Sequence, residues 1–362
     1  MKTRAFRLAV DRSSGVGLVE QLTVALKTEL SMGRFSPGEV LPGIDAVAAQ
    51  AGVSEKVARR ALSRLAADGW VKPRRGVGSV VQACSMKASA KRVLLFQTGE
   101  SWSFFVGQFV STVQWRLQRA GIGFSSVFAP GMRPNCDYSQ LVDALKERWD
   151  LIVEMGGYAP SRQMIEQSGM PFVVVRFCPS RPLSQAPNCI GVINLNNGKV
   201  LPDFVRRCRQ KGVRRVLQFL YGVGGFDASD ALKSAGVEVE TVSISHQRSL
   251  DAIIRASMRS MSSRLASGAP LPDVILFTDD YIARGGLLAL SSHGVRIPAD
   301  VAVVSHANKG LGPVWTVPLT RMEMDPVAHG KEVASMLLRW LEDGSFRISC
   351  ESGSVWRPGR TF

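Results

Sequence analysis

The stretch from Gly33 to Val81 constrains the chain more than any other. Within it, Val47, Ala48 and Ala51 give a short segment one apolar face at helical spacing, and Gly52 ends that segment with a backbone tolerant of positive φ. Ser54 is placed to offer its hydroxyl to the free amides at the start of a second helix. Val57, Ala58, Ala61, Leu62 and Leu65 then recur at helical spacing, leaving Lys56, Arg59, Arg60, Ser63 and Arg64 on the outer side. Two short helices, a glycine turn and a basic outer face form a helix-turn-helix whose second helix suits a major groove. After Trp70, two short strands meet at the basic tip Arg74-Arg75-Gly76, a wing placed to lie near phosphates. A charge run alone usually marks a solvated face. Here order, spacing and the trailing wing agree.

This stretch resembles the winged-helix domain of GntR-type bacterial transcription regulators. The pattern G-R-x-x-P-G-x-x-L-P is met at Gly33, Arg34, Pro37, Gly38, Leu41 and Pro42. The recognition-helix pattern is met at Val53, Ser54, Arg59, Ala61 and Leu62, D-G-W at Asp68, Gly69 and Trp70, and the wing at Gly76 and Gly78. The resemblance covers about Leu18 to Val81. With the outer-face cations it implies a DNA-binding set of Arg34, Ser54, Lys56, Arg59, Arg60, Arg64, Arg74, Arg75 and Gly76. Two positions depart from the family: Asp45 and Glu55 stand where it usually carries arginines. Carboxylates repel phosphate but accept from a cytosine amine, so the usual operator sequence is not expected.

The charge balance points the same way. Lys and Arg number 45 against 30 Asp and Glu, a net charge of +15, which favours a polyanionic partner. No apolar run reaches the length of a membrane span, and no basic amphipathic helix suits an anionic bilayer, so no membrane partner is expected. The first seven residues carry positive charge without the apolar core of a secretory signal. Six cysteines (Cys84, Cys136, Cys178, Cys189, Cys208 and Cys350) form no C-x-x-C pair, which argues against a metal site and for scattered thiols in a reducing cytoplasm. No cofactor is expected.

At 362 residues the chain has room for two or three domains. Residues before Leu18 read as a short, partly mobile arm, and Leu18 to Met32 as a helix with Leu18, Leu22, Ala25, Leu26 and Leu30 on one face. The winged helix-turn-helix domain is expected over 1–81, an α+β unit. Small and polar residues over 82–90 suggest a linker. From Lys91 strands and helices alternate, which predicts an α/β domain with parallel sheets over 91–362. The pattern restarts after the Pro- and Ser-rich loop Cys178 to Asn188, giving two similar lobes with hinges expected near 178–190 and 306–325. Pro326 to Glu342 reads as a final amphipathic helix.

The second domain resembles the LacI/GalR-type effector-binding domain. The resemblance is carried by Pro272-Asp273-Val274-Ile275-Leu276-Phe277-Thr278-Asp279-Asp280, by Gly294-Val295-Arg296-Ile297-Pro298-Ala299-Asp300 and by Pro318-Leu319-Thr320. It implies a two-lobed periplasmic-binding-protein-like fold with a small molecule between the lobes. A GntR-type reader joined to such a sensor is the architecture of arabinose-type repressors of carbohydrate genes. Ligands of open α/β sheets bind beyond the carboxyl ends of strands, so the candidate effector residues are Trp102, Phe104, Arg176, Asn194, Asp279, His306 and Asn308. Asp279, Asn194 and Ala307 depart from the family's sugar-contacting residues, and Gly222–Asp227 lacks its common arginine. Asp280 matches the family; capping of the following helix is the alternative role. The basic cluster Arg206 to Lys211 with Arg214 and Arg215 reads as a solvated helix end, with DNA contact as the lesser alternative.

The leading expectation is a ligand-responsive transcription regulator, a homodimer bound to double-stranded operator DNA, cytoplasmic and nucleoid-associated. Repression of carbohydrate genes and a sugar effector follow from the two resemblances. One rival is an α/β enzyme with a DNA-binding appendage, but the chain has no G-x-S-x-G, phosphate-binding loop or metal constellation. The other is a regulator with a vestigial sensor.

Overall fold

The computed structural model describes residues 8–13, 16–31, 34–82, 91–99, 103–130, 136–156, 159–176, 184–195, 200–222, 226–245, 247 and 249–362. The chain divides into two units at residue 90.

In the first unit, α1 (Leu18–Ser31), α2 (Ile44–Ala51) and α3 (Glu55–Ala67) pack around Leu22, Leu26, Val47, Ala58, Ala61 and Leu65, all buried. The antiparallel strands β1 (Val71–Arg74) and β2 (Gly78–Val81) cover this core with Val71 and Val81. Residues 38–41 extend the ladder. Gly38 N–H donates to Val81 O, Val81 N–H to Glu39 O and Leu41 N–H to Ser79 O, at 2.7–2.8 Å. Gln82 N–H donates to Trp70 O, so Gln82 belongs to this unit rather than to the linker; 83–90 lie outside the described residues.

One local expectation needs correction. Ser54 has the extended backbone of an N-cap, but its hydroxyl makes no capping bond; its carbonyl accepts from Val57 and Ala58. Glu55 and Lys56, which open α3, are exposed, so water can serve their free amides. The arm before Leu18 is docked over its described part. Leu8 is buried in the core, Asp11 and Gln21 exchange bonds of 2.7 and 2.9 Å, and Arg12 Nη2 donates to Gly52 O. A lone leucine in a basic stretch carries no periodicity from which to foresee this.

The second unit runs β3 (Arg92–Gly99), α4 (Phe104–Arg119), β4 (Gly123–Pro130), α5 (Ser139–Ala144), β5 (Leu151–Met155), α6 (Ala159–Gln167), β6 (Phe172–Arg176) and β7 (Cys189–Leu195). It continues with α7 (Leu201–Gln210), β8 (Arg215–Tyr221), α8 (Ser229–Ser234), β9 (Glu238–Ile244), α9 (Leu250–Ala266), β10 (Val274–Phe277), α10 (Asp280–Ser292), β11 (Ala302–Asn308) and β12 (Thr320–Met324). It closes with α11 (Pro326–Asp343), β13 (Ile348–Ser352) and β14 (Val355–Arg357). The strands form two six-stranded sheets, β13-β7-β6-β5-β3-β4 and β14-β12-β11-β10-β8-β9, parallel except for β14 on β12.

Each sheet is buried on both faces, which explains the near-continuous apolar strands. Val93 and Leu95 of β3 join a core with α4 and α11, while Leu94 and Phe96 face the core that holds Leu141 of α5 and Ile165 of α6. In the other lobe, Leu217 and Phe219 face α9 and α10, and Val216 faces α7 and α8. Two glycines allow close helix contacts. A Cβ on Gly330 of α11 would lie 2.8 Å from Thr112 Cβ of α4, and one on Gly285 of α10 would lie 2.2 Å from Ile254 O of α9.

The chain passes between the lobes after β7, between Met324 and Pro326, and at 353–354 between β13 and β14. The hinge expected near 178–190 is therefore misplaced, because β6 and β7 on either side of it are neighbours in one sheet. The one expected at 306–325 shrinks to its last residues, since β11 and β12 also pair in one sheet. A Pro- and Ser-rich loop marks a break in secondary structure and does not say whether the next strand returns to the same sheet. The strands β12 to β14 were not foreseen; they are short and lack the bulk of the central runs.

Candidate nucleic-acid interface and effector cleft

The helix-turn-helix angle is set at Gly52, whose φ of 64° lies in the left-handed region. Its N–H and that of Val53 return to Ala49 O and Ala48 O, closing α2 and aiming α3. Ala58, Ala61, Leu62 and Leu65 bury one face of α3, so Lys56, Arg59, Arg60 and Arg64 are exposed on the other. Lys72, Arg74 and Arg75 are exposed on the wing, and Gly76 turns its tip at φ 74°. None of these seven cations forms an ion pair among the described residues. The unit's ion pairs anchor on α1 instead: Lys27 to Asp68 at 2.7 Å and Glu29 to Arg34 at 3.1 Å. Arg34 is thus held by a buried glutamate, and the Asp68-Gly69-Trp70 turn is fastened by Lys27, whose Nζ also lies 5.9 Å from the Trp70 ring. Asp45 and Glu55 are exposed.

The effector candidates lie at the carboxyl edges of the two sheets. In the first lobe, Arg176 ends β6 and its Nε donates to Asn194 Oδ1 of β7 at 2.5 Å. Phe104 opens α4; Trp102 lies outside the described residues. In the second lobe the two aspartates divide the work differently from the expectation. Asp279 is the N-cap of α10 and accepts from Tyr281 N–H at 2.7 Å. Asp280 is fully buried, and its Oδ2 accepts from Asn308 N–H at 2.8 Å and from Asn308 Nδ2 at 2.7 Å. Burial pushes the Asp280 carboxyl up to about 7, with the Asn308 N–H opposing. Burial also takes His306 down to about 4, so its imidazole is neutral near pH 7.

Several buried polar atoms of the strands and helix that carry these residues have no hydrogen bond. Gln97 Oε1, Thr98 Oγ1, Asp280 Oδ1, His306 Nε2, Asn308 Oδ1 and Arg321 Nε are all buried and unpartnered among the described residues. Native interiors rarely tolerate such groups. Four of these six atoms are oxygens, and Arg321 Nε is a donor. Gln97, Thr98, Tyr281 and Arg321 escaped the sequence reading: the first two end an apolar strand, and nothing in the spacing sets Tyr281 or Arg321 apart. Among the described residues no group of three or more His, Cys, Asp or Glu could hold a metal ion. No helix there is long and apolar enough to cross a membrane.

Three members of the basic cluster at the end of α7 are engaged by their own lobe. Arg206 pairs with Asp203, the Arg207 guanidinium lies 4.8 Å from the Trp356 ring, and Lys211 Nζ lies 5.1 Å from the Phe362 ring.

The chain thus joins a winged helix-turn-helix unit to a two-lobed α/β unit. Comparison with known proteins agrees in kind. Residues 18–81 match the bacterial regulatory proteins of the gntR family, and residues 196–354 match the periplasmic binding protein-like domain. The chain carries both domains. The HTH-type transcriptional regulator CelR of Thermobifida fusca is 25% identical over 187 residues, 49% of this chain and 52% of that protein. The chain thus spans about half the length of this curated relative. The lactose complex of a LacI family transcriptional regulator from Arthrobacter sp. FB24 superposes with a TM-score of 0.59 at 19% identity, over 75% of this chain and 99% of that one. The lac repressor dimer bound to operator gives 0.60 at 15% identity, over 76% and 96%. These likenesses give the fold.

Proposed function

We propose that this protein is a ligand-responsive transcription regulator that represses carbohydrate-related genes as a homodimer on operator DNA. One observation carries the DNA-binding half: the recognition helix and wing expose seven cations that form no ion pair among the described residues, while the unit's two ion pairs, Lys27–Asp68 and Arg34–Glu29, each use a side chain of α1. Arg59, Arg60, Arg64, Arg74, Arg75 and Lys56 contact phosphates and supply affinity, with the Gly76 turn presenting the wing tip. Ser54 and a subset of the α3 side chains read bases, and Arg34 braces the approach from α1. A symmetric dimer places two such helices on one face of the duplex. The protein works in the cytoplasm, at the nucleoid.

The effector is a hydroxyl-rich molecule, with a sugar as the best-supported class. Asn308, His306, Arg176 and Asn194 line its site with Phe104 as an apolar platform, and Asp279 orders the rim. The lactose-bound neighbour supports that class by analogy. The effector shifts operator affinity only by the difference in its affinity for the two lobe arrangements.

Arg59→Ala combined with Arg75→Ala tests the interface on a duplex enriched from genomic fragments. Loss of two phosphate contacts lowers the slope of log affinity against log salt by about two. An unchanged slope and affinity would remove α3 and the wing from the interface.

A further inference from the structure

Among the described residues, a hydrogen bond joins the first turn of α4 in one lobe to α10 in the other. Phe104 is the first residue of α4 in one lobe, and Tyr281 is the second residue of α10 in the other. The Phe104 N–H donates to the Tyr281 hydroxyl across the lobes at 3.3 Å. First-turn amides have no partner within their own helix, so this amide takes its acceptor from the opposite lobe. Its neighbour Val106 uses the local Ser103 hydroxyl instead.

The loop after β11 completes the contact. A Cβ on Gly310 would lie 3.7 Å from the Phe104 ring, so the ring rests near this loop's backbone, and Gly310 has the φ of 89° that favours glycine. Arg284 of α10 holds the loop through a 2.8 Å bond to Leu311 O. Lys309 reaches Asp325, the N-cap of α11 at one of the interlobe crossings, at 2.7 Å. Asn308 is fastened to Asp280 beneath. Tyr281 is buried in the core of its own lobe, so its hydroxyl is carried on a fixed ring.

We propose that the Tyr281 hydroxyl is an interlobe clasp: by holding the Phe104 amide it sets the lobe separation that an effector must change. Tyr281 is a positioning residue that acts through the Phe104 backbone and the 308–312 loop. The long bond suits the role, since a weak contact at the mouth of a cleft can break and reform as the lobes move. The clasp rests on the proposed sensor function only for its purpose; its existence is testable without any ligand.

Amide exchange on the full chain provides the test, with wild type, Tyr281→Phe, Phe104→Pro and the double variant. Proline is tolerated at the first position of a helix, and Ser103 before it has the extended backbone that a following proline requires. Phe104→Pro therefore deletes the donor without breaking α4. We expect Tyr281→Phe to speed exchange of both the 103–106 and 308–312 segments by about threefold or more, as loss of one hydrogen bond implies. The core of α10 should not change. In the Phe104→Pro background, removal of the Tyr281 hydroxyl should add nothing to exchange at 308–312. Unchanged exchange in Tyr281→Phe, or an equal effect in both backgrounds, would overturn the clasp. Lactose and cellobiose are then added as probes. Protection of the wild-type cleft segments by either, altered in Tyr281→Phe, supports the clasp as an effector-linked device. Altered exchange in Tyr281→Phe with no protection by either sugar keeps the clasp and contradicts the sugar reading alone. Sugar protection equal in wild type and Tyr281→Phe rejects its link to the effector.

Discussion

Asp280 shows how one residue can carry more than its motif suggests. The carboxyl sits near 7 in the folded chain against 3.8 for the free group, chiefly because burial disfavours its charge. The folded state therefore binds this proton more tightly than the unfolded state, and stability falls as pH rises between those two values. Three units at roughly 1.4 kcal/mol each set this penalty on the order of 4 kcal/mol above the window. Asp280→Asn removes it. Chemical denaturation at about pH 4 and about pH 7.5 should show the variant gaining on wild type as pH rises. A gain on acidification instead would mean that the carboxylate is held ionised. His306 acts in the opposite sense: its pKa is lowered to about 4 by burial, so its contribution is lost as pH falls from 6.5 toward that value. It is common to both proteins and cancels in the comparison. The match of Asp280 to a family pattern was legible in the sequence. Its exchange of roles with Asp279 was not, since two adjacent acids before a helix look equally able to cap it.

At the level of elements, legibility followed periodicity. The face of α3, the glycine turn before it and the wing were readable because each residue type answers a local demand. The central strands were readable because burial on both faces makes them apolar throughout. The edge strands β12 to β14 and the true interlobe crossings were not, because their placement depends on which sheet a strand joins, a long-range choice with no local signature. The contact of α11 with α4 was also hidden, though Gly330 marks it. Its Cβ would meet Thr112 Cβ at 2.8 Å and Phe109 O at 3.0 Å. Gly330→Ala should therefore cost about 1–3 kcal/mol through overpacking, against the small gain that alanine brings to an exposed helix. Urea denaturation of the variant measures this. A stability equal to or above wild type would show that the two helices can part without loss. Asp325 offers a second check: its Oδ1 accepts from Val327 and Ala328 at 3.1 and 3.0 Å. Asp325→Ala should cost about 1 kcal/mol as a lost cap, besides its ion pair with Lys309.

Across the whole molecule, the net charge of +15 attracts any polyanion, so DNA binding by itself says little. Specific recognition requires that α3 and the wing discriminate sequence, and sensing requires that the cleft alter that discrimination. The most direct measurement is selection of genomic fragments by the purified full chain at a stated salt concentration, with and without a carbohydrate mixture. We expect an enriched palindrome whose recovery changes when the mixture is present. Enrichment of no sequence, with retention that follows salt alone, would contradict a specific regulator and leave only the affinity of a basic surface.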